Sequence, residues 1–264
     1  TIETHDNLMF FTNSFYVFQT KAYEIPESSR TARGQAIVNF LQLSQEEKIT
    51  ATISRSKDDG YKYLFMATRN GTVKKSKLEE FENVRRSGLI AITLDKGDTL
   101  GWVRPTTGSD DVIMTTADGQ SVRFKESDVR PMGRNAAGVR GMKLKDAKDR
   151  IVGTDIVDKD AKDMELLVLS EHGYGKRSAL KQFKVQKRGG SGMKAMKVTE
   201  KTKDIVGALV TSMANIEDDI ILTSKKGTII RVPFKSVPLL GRVTQGVRVM
   251  KPQSGDGVAD FTIL

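Results

Sequence analysis

The chain has no cysteine, only two histidines and one tryptophan, and no long apolar run. Without cysteine it can form neither a disulfide nor a thiolate metal site, which fits a reducing compartment, and we expect a cytoplasmic location. No run of 18 apolar residues is present, so we expect no membrane span. A first residue other than Met favours an excised part of a longer protein.

Motifs for catalysis are also missing. The sequence contains no HExxH, no GxSxG and no phosphate-binding GxxxxGKS or GxxxxGKT loop. His172 falls in a turn signal and His5 at the start of a strand signal, where a structural role is favoured over catalysis. We therefore expect no catalytic residue, metal or cofactor in this chain.

Positive charge is concentrated in one segment. The whole chain carries a formal charge of +10, and residues 173–203 alone hold ten Lys and Arg against the single acid Glu200, a net charge of +9. The rest of the chain is close to neutral. A dense basic stretch interrupted by glycines is typical of a surface that binds a phosphate backbone.

Turn signals recur at a regular period. Glycine follows a turn-forming residue in four places, with glycine spacings of 48, 54 and 54 residues: Asn70-Gly71, Asp118-Gly119, His172-Gly173 and Lys226-Gly227. Each turn joins two short apolar runs, such as YLFMAT and TVKKS, which is the pattern of a β-hairpin. A fifth copy opens the chain, with Asn13-Ser14 at its turn.

A second set of signals completes each repeat. After each hairpin comes a second glycine that leads into a further apolar run, and an additional strand follows, as in KITATI or LGWVRP. The runs after the second glycines are AIVNFLQL, LIAITL, VRGMKL, MKAMKV and VRVMK. Four strands in each unit of about 50 residues indicate a bladed, radially repeated β architecture. We predict one all-β domain over 1–264, with four-stranded repeats at 5–55, 56–107, 108–160, 161–215 and 216–264.

Charges follow the phase of the repeats. Acidic residues precede the first strand of most repeats, as in Asp110-Asp111 and Asp218-Asp219, whereas basic residues follow the hairpin turn. In a closed repeat array this predicts separate acidic and basic rings on different parts of the molecule. Exposed Lys and Arg on strand edges also prevent edge-to-edge pairing, and that alternative stays open for any single pair.

The glycine-rich run 186–192, QKRGGSG, is the clearest candidate for a site. Its glycines allow the backbone to approach a phosphate and present N–H groups, while Lys187 and Arg188 supply charge. Such contacts fix the position of a nucleic acid without reading its bases. The structural alternative is a flexible loop that happens to be basic.

This heptad resembles the QRRGGKG box of the DNA gyrase A C-terminal domain. The resemblance extends to FMATRNGTVKK at 65–75, VRFKESDVRPMGRNAAGVRG at 122–141, EHGYGKRS at 171–178 and KVTE at 197–200, and so covers essentially the whole chain. Two box positions differ, with Lys187 in place of Arg and Ser191 in place of Lys. The heptad also lies in the fourth of five repeats, whereas the family commonly has six repeats with the box in the first. Either a first repeat has been removed, in which case the intact domain would have six blades, or the chain is a natural five-repeat variant.

The resemblance implies a β-pinwheel, a propeller-like disc whose blades exchange strands. It also implies a non-catalytic domain that wraps double-stranded DNA around a basic surface for negative supercoiling by an ATP-dependent type II topoisomerase. The cleaving tyrosine, ATP and Mg²⁺ would belong elsewhere in that complex. The partners would be the gyrase B subunit together with the rest of the gyrase A subunit, in a bacterial cytoplasm near the nucleoid. We expect the isolated domain to be monomeric.

The residues that we expect to contact DNA come from the glycine loops and from the strands after the hairpin turns. They are Gln186, Lys187, Arg188, Gly189, Gly190, Gly192, Lys194, Lys176, Arg177, Lys74, Lys75, Arg85, Arg86, Arg123, Lys125, Arg134, Arg140, Arg30, Arg33, Arg231 and Arg242. Two alternatives remain: the corresponding DNA-binding domain of topoisomerase IV, and a propeller scaffold for protein–protein interaction. The scaffold would require a large exposed apolar face, and the 6% aromatic content argues against it.

Overall fold

A computed structural model describes residues 2–27, 29, 31–32, 34–55, 60–85 and 87–264, without the side chains of residues 213 and 215. Nineteen strands occur in these residues: β1 Asn7–Thr12, β2 Tyr16–Lys21, β3 Ile49–Arg55, β4 Tyr63–Thr68, β5 Thr72–Lys77, β6 Leu89–Ile90, β7 Leu100–Thr106, β8 Asp111–Thr116, β9 Gln120–Lys125, β10 Val139–Arg140, β11 Ile151–Val157, β12 Met164–Ser170, β13 Tyr174–Ala179, β14 Met193–Lys194, β15 Ile205–Ser212, β16 Asp219–Ser224, β17 Ile229–Pro233, β18 Val247–Arg248 and β19 Val258–Ile263.

Helical structure in the described residues is confined to short 3₁₀ turns. They are Ala22–Glu24, Ile37–Asn39, Leu78–Phe81, Glu126–Asp128, Leu180–Gln182, Met213–Glu217 and Phe234–Ser236. None of them has the length and apolar character needed to cross a membrane. The prediction of an all-β chain is therefore confirmed.

The strands form five antiparallel sheets, and short strands are exchanged between consecutive repeats. The sheet orders are β3-β1-β2-β6, β10-β5-β4-β7, β11-β8-β9-β14, β15-β12-β13-β18 and β17-β16-β19. The fourth strand of each of the first four sheets comes from the next repeat along the chain. The short strand β14, for example, pairs with β9 through Met193 and Ser121. This exchange is the arrangement that the resemblance implied.

Two details differ from the predicted four strands in every copy. The run AIVNFLQL in the first repeat contains the 3₁₀ turn Ile37–Asn39 instead of a strand, and the fifth sheet has three strands among the described residues. The other second-glycine runs form strands by pairing with the sheet of the preceding repeat. Among the described residues, AIVNFLQL joins no such sheet and the fifth sheet receives no exchanged strand.

Each hairpin turn is capped by the hydroxyl group that ends its first strand. The backbone N–H four residues later donates to that hydroxyl in all five repeats, with Thr12, Thr68, Thr116, Ser170 and Ser224 as the acceptors. All five residues are buried. A side-chain acceptor within the turn satisfies a backbone donor that the hairpin leaves unpaired. The first hairpin shares this cap, although its turn at Asn13-Ser14 has no glycine.

The chain divides into two compact units, and the sheets are packed within each. The first unit is Thr1–Gly108 with Val129–Val139, and its core contains Phe11, Leu64 and Phe81. The second unit is Ser109–Asp128 with Arg140–Leu264, and it contains two apolar clusters, one around β12 and β15 and the other around β16 and β19. The single domain over 1–264 stays a prediction.

Candidate nucleic-acid interface

Three equivalent loops precede the exchanged strands β10, β14 and β18. We call them loop 3 (131–138), loop 4 (185–192) and loop 5 (239–246), after the repeats in which they occur. Each loop begins at a parallel bridge to the preceding repeat, in the pairs Lys75 with Pro131, Arg123 with Val185 and Arg177 with Leu239. Each ends at a glycine with a positive φ angle. The gyrase-box-like heptad is loop 4 without its first residue.

The backbone of loop 4 is hydrogen-bonded near its start and in its middle. Gln186 donates its N–H to the carbonyl of Arg123 at 2.7 Å, and Gly189 donates to Gly141 at 2.6 Å. The carbonyl of Gly190 accepts from the N–H of Lys143 at 2.9 Å. The alternative of a flexible basic loop therefore does not describe this loop, because its path is fixed by hydrogen bonds to ordered strands and turns.

The three glycines of loop 4 have different reasons to be glycine. Gly192 has φ +74°, and a Cβ atom there would lie 2.4 Å from the carbonyl oxygen of Ser121. Gly189 has φ +80°. Gly190 has neither restriction, since the nearest atom to a Cβ at this position would be 3.8 Å away. The fold therefore requires glycine at two of the three positions, and Gly190 leaves an exposed stretch of backbone without a side chain.

Six of the predicted cations have exposed side chains, and one of them, Arg231, is paired with Asp219. The other five are Arg85 in the first unit and Lys125, Arg140, Lys187 and Lys194 in the second. None of the five forms a salt bridge to another residue in the described part of the chain. Lys187 and Lys194 lie in and immediately after loop 4, so they are placed to meet an anion at this loop.

Lys74 and Lys176 are buried and point into the protein. The ammonium group of Lys176 donates to the carbonyls of Gly241 and Arg242 in loop 5, both at 2.7 Å. Lys74 likewise donates to Ala91 and to Arg134 in loop 3. Burial lowers the pKa of each lysine from 10.5 to about 8. The ammonium groups of these lysines bind loop carbonyls inside the protein, so they are not available to a ligand at the surface.

Lys75 and Arg177 are also buried. The ammonium group of Lys75 lies 5.0 Å from the centre of the Tyr63 ring. Arg177 forms a buried ion pair with Glu165 at 2.8 Å and donates to the carbonyl of Val237 at 2.7 Å. The charged groups of Lys74, Lys75, Lys176 and Arg177 are all buried, which argues against the predicted contact of these side chains with DNA.

Arg123 and Arg231 are paired with acids on the neighbouring strand. Arg123 donates twice to Asp111, at 2.9 and 2.7 Å, and Arg231 donates twice to Asp219, at 2.6 and 2.5 Å. Both pairs join residues twelve apart, as does the Arg177–Glu165 pair. The expectation that acidic and basic residues lie on different parts of the molecule is therefore wrong at these positions, because the antiparallel hairpin places them side by side.

The remaining predicted positions are only partly exposed or are not described. Arg134, Arg188 and Arg242, one in each loop, are half-buried, and their guanidinium groups bind backbone carbonyls. Three further predicted cations, Arg30, Arg33 and Arg86, lie outside the described residues. Lys181 and Lys184, just before loop 4, are exposed and were not selected from the sequence, although they belong to the same basic segment.

Repeated hairpins joined by exchanged short strands define a protein of the β-propeller class. The family model described as "DNA gyrase C-terminal domain, beta-propeller" matches residues 6–54, 62–107, 110–158, 165–212 and 218–263. The chain belongs to this family.

Individual relatives agree with this assignment. The DNA gyrase A protein of Staphylococcus epidermidis is 40% identical over 261 residues, which are 97% of this chain and 28% of the relative. The chain thus spans under a third of the curated relatives that it matches. Among solved structures, the C-terminal domain of DNA topoisomerase IV matches with a TM-score of 0.88 at 27% identity, covering 99% of this chain and 80% of that one. The DNA gyrase A C-terminal domain matches with a TM-score of 0.81 at 26% identity, covering 100% and 84%.

Proposed function

We propose that this chain is the DNA-binding C-terminal part of a gyrase A protein, and that it bends and wraps duplex DNA without catalysis of its own. The observation that carries the proposal is loop 4, a glycine-rich loop of fixed backbone with the exposed cations Lys187 and Lys194 beside the bare backbone of Gly190. Cations together with accessible backbone form a site for a phosphate oxygen.

The contacts proposed for DNA are the exposed predicted cations that are not paired with an acid. They are Lys187, Lys194, Arg140 and Lys125 in the second unit and Arg85 in the first, with the backbone of Gly190. Bending a site of 20–30 base pairs through 40–90° costs on the order of 1–6 kcal/mol. Several distributed phosphate contacts must offset this cost, so we propose binding with little sequence preference beyond bendability.

The proposal includes the larger assembly. DNA cleavage and ATP hydrolysis would be supplied by gyrase B and by the rest of the gyrase A protein, in the bacterial cytoplasm close to the nucleoid. The wrap formed by this chain would present a DNA segment to that core for negative supercoiling.

The salt dependence of binding tests the DNA contact itself. Neutralisation of about five phosphates by the five proposed cations predicts that affinity for a fluorescent duplex falls by roughly 10²–10³ between 50 and 200 mM salt. Binding that is insensitive to salt, or no binding at 50 mM salt, would contradict the proposal.

A second candidate is the corresponding domain of topoisomerase IV. The observation in its favour is the higher TM-score of the topoisomerase IV structure, 0.88 against 0.81. Both candidates predict salt-sensitive DNA binding. They differ in wrapping, because a topoisomerase IV domain would bind DNA without strong trapped writhe.

A further inference from the structure

The arginines of the three loops share one unusual contact. Each guanidinium group reaches back along the chain and donates from Nη1 to the carbonyl of the last residue of the preceding exchanged strand. The pairs are Arg134 with Ile90 at 3.2 Å, Arg188 with Arg140 at 3.0 Å and Arg242 with Lys194 at 2.9 Å. The same contact in three repeats indicates a structural device rather than a chance rotamer.

Arg188 makes a second contact of the same kind. Its Nε donates to the carbonyl of Asp128 at 2.9 Å, so one guanidinium joins the end of the Glu126–Asp128 turn to the end of β10. The guanidinium donates from two separate nitrogens, Nε to Asp128 and Nη1 to Arg140, in a fixed fork. The ammonium group of a lysine donates from one nitrogen only, so it does not reproduce this spacing of donors. Two donor positions of the box arginine are therefore already bound to the protein.

The neighbour of Arg188 has the opposite character. The side chain of Lys187 is exposed, and it forms no salt bridge within the part of the chain that the structure describes. Arg140 presents its carbonyl to Arg188 while its own side chain is exposed. At this loop, the cation that fixes the backbone and the cations that face solvent are therefore different residues.

We propose that Arg188 is a positioning residue, which fixes loop 4 against β10 so that Lys187, Arg140 and the backbone of Gly190 face the phosphates. The proposal rests on the proposed function. Arg242 has the same role in loop 5 and Arg134 in loop 3. The box arginine thus sets the geometry of the site, and the adjacent lysine supplies the charge that DNA meets.

Hydrogen exchange on the free chain tests the positioning role without DNA. The reporters are the amides of Gly189 and Lys143, which bond across the junction between loop 4 and the preceding repeat. We expect exchange to become about tenfold faster in both Arg188→Ala and Arg188→Lys, because neither keeps the two carbonyl contacts. Lys187→Ala and the exposed control Lys184→Ala should match the parent chain. Unchanged exchange in both Arg188 variants would overturn the proposal.

DNA binding separates position from charge. Lys187→Ala should lower the slope of log affinity against log salt by about 0.9, the value for one lost phosphate contact. Arg188→Lys keeps the charge, so we expect it to keep the slope and still lose affinity as Arg188→Ala does. The proposal is overturned if Arg188→Lys binds DNA like the parent chain and Arg188→Ala lowers the salt slope by about 0.9. Those two results would make Arg188 a phosphate ligand.

The two experiments can fail independently. If the parent chain does not bind DNA, the proposed function fails, and hydrogen exchange still decides whether Arg188 fixes the loop. Circular dichroism of each variant separates a local change in loop 4 from global unfolding, and Arg188→Lys is the milder change if Arg188→Ala does not fold.

Discussion

Replacing each of two glycines in loop 4 by alanine should lower the stability at one position and leave it nearly unchanged at the other. In Gly192→Ala the new Cβ lies 2.4 Å from the carbonyl oxygen of Ser121, and the backbone keeps φ +74°. The left-handed conformation costs about 1–2 kcal/mol for a residue with a side chain. Relief of the clash requires β14 to move from β9, which costs roughly 1–2 kcal/mol more in strand hydrogen bonds. We expect Gly192→Ala to lower the free energy of unfolding by about 2–4 kcal/mol.

Gly190→Ala is the matched control, since it makes the same chemical change two residues away. A Cβ there meets no atom closer than 3.8 Å, and no positive φ angle is present. We expect a change within about 0.5 kcal/mol. Urea unfolding followed by circular dichroism measures both values. Equal effects of the two substitutions, or a loss below about 0.5 kcal/mol in Gly192→Ala, would refute the close approach of the exchanged strand.

Three other perturbations address binding and buried charge. Gly190→Ala should weaken DNA binding severalfold while leaving stability unchanged, because its methyl group would cover backbone that we propose faces a phosphate. Fluorescence anisotropy measures the affinity, and an unchanged affinity would remove Gly190 from the interface. Arg177→Ala should lower the free energy of unfolding in urea by about 3–5 kcal/mol, since it leaves Glu165 buried without its partner; a loss under about 1 kcal/mol would mean that water reaches this pair. The lowered pKa of Lys176 predicts that the free energy of unfolding rises with pH between pH 8 and 10.5. In that range the unfolded chain binds more protons than the folded chain, because the lysine keeps its ordinary pKa only when it is unfolded. Urea unfolding across that range should show a smaller rise in Lys176→Met, and identical profiles would contradict the buried charge.

The local elements could be predicted from the sequence because their signals are local. Alternating apolar runs around glycine turns locate the hairpins, and YLFMAT is strand β4 as expected. The hydroxyl that caps each turn carries a signal as well, since Thr or Ser ends the first strand in every repeat. The exchanged strands could be expected from the resemblance, but their length of only two residues could not.

The roles of individual basic residues could not be predicted in the same way. Lys176 and Lys187 have the same charge in the same basic segment, yet one is buried beneath loop 5 and the other is exposed in loop 4. The difference depends on carbonyls of Gly241 and Arg242, which are more than sixty residues away in the sequence. The net charge therefore identified the basic segment, but it could not distinguish cations that bind loop carbonyls from cations that are exposed to solvent.

Trapped writhe is the most direct measure of the proposed wrapping. The chain is incubated with relaxed circular plasmid and a nicking-closing topoisomerase, the protein is removed, and the sign of the remaining supercoils is determined on chloroquine gels. A right-handed wrap predicts positive supercoils that increase with protein concentration and diminish in Lys187→Ala. Salt-sensitive binding with no trapped supercoils would contradict wrapping and favour the topoisomerase IV type of domain.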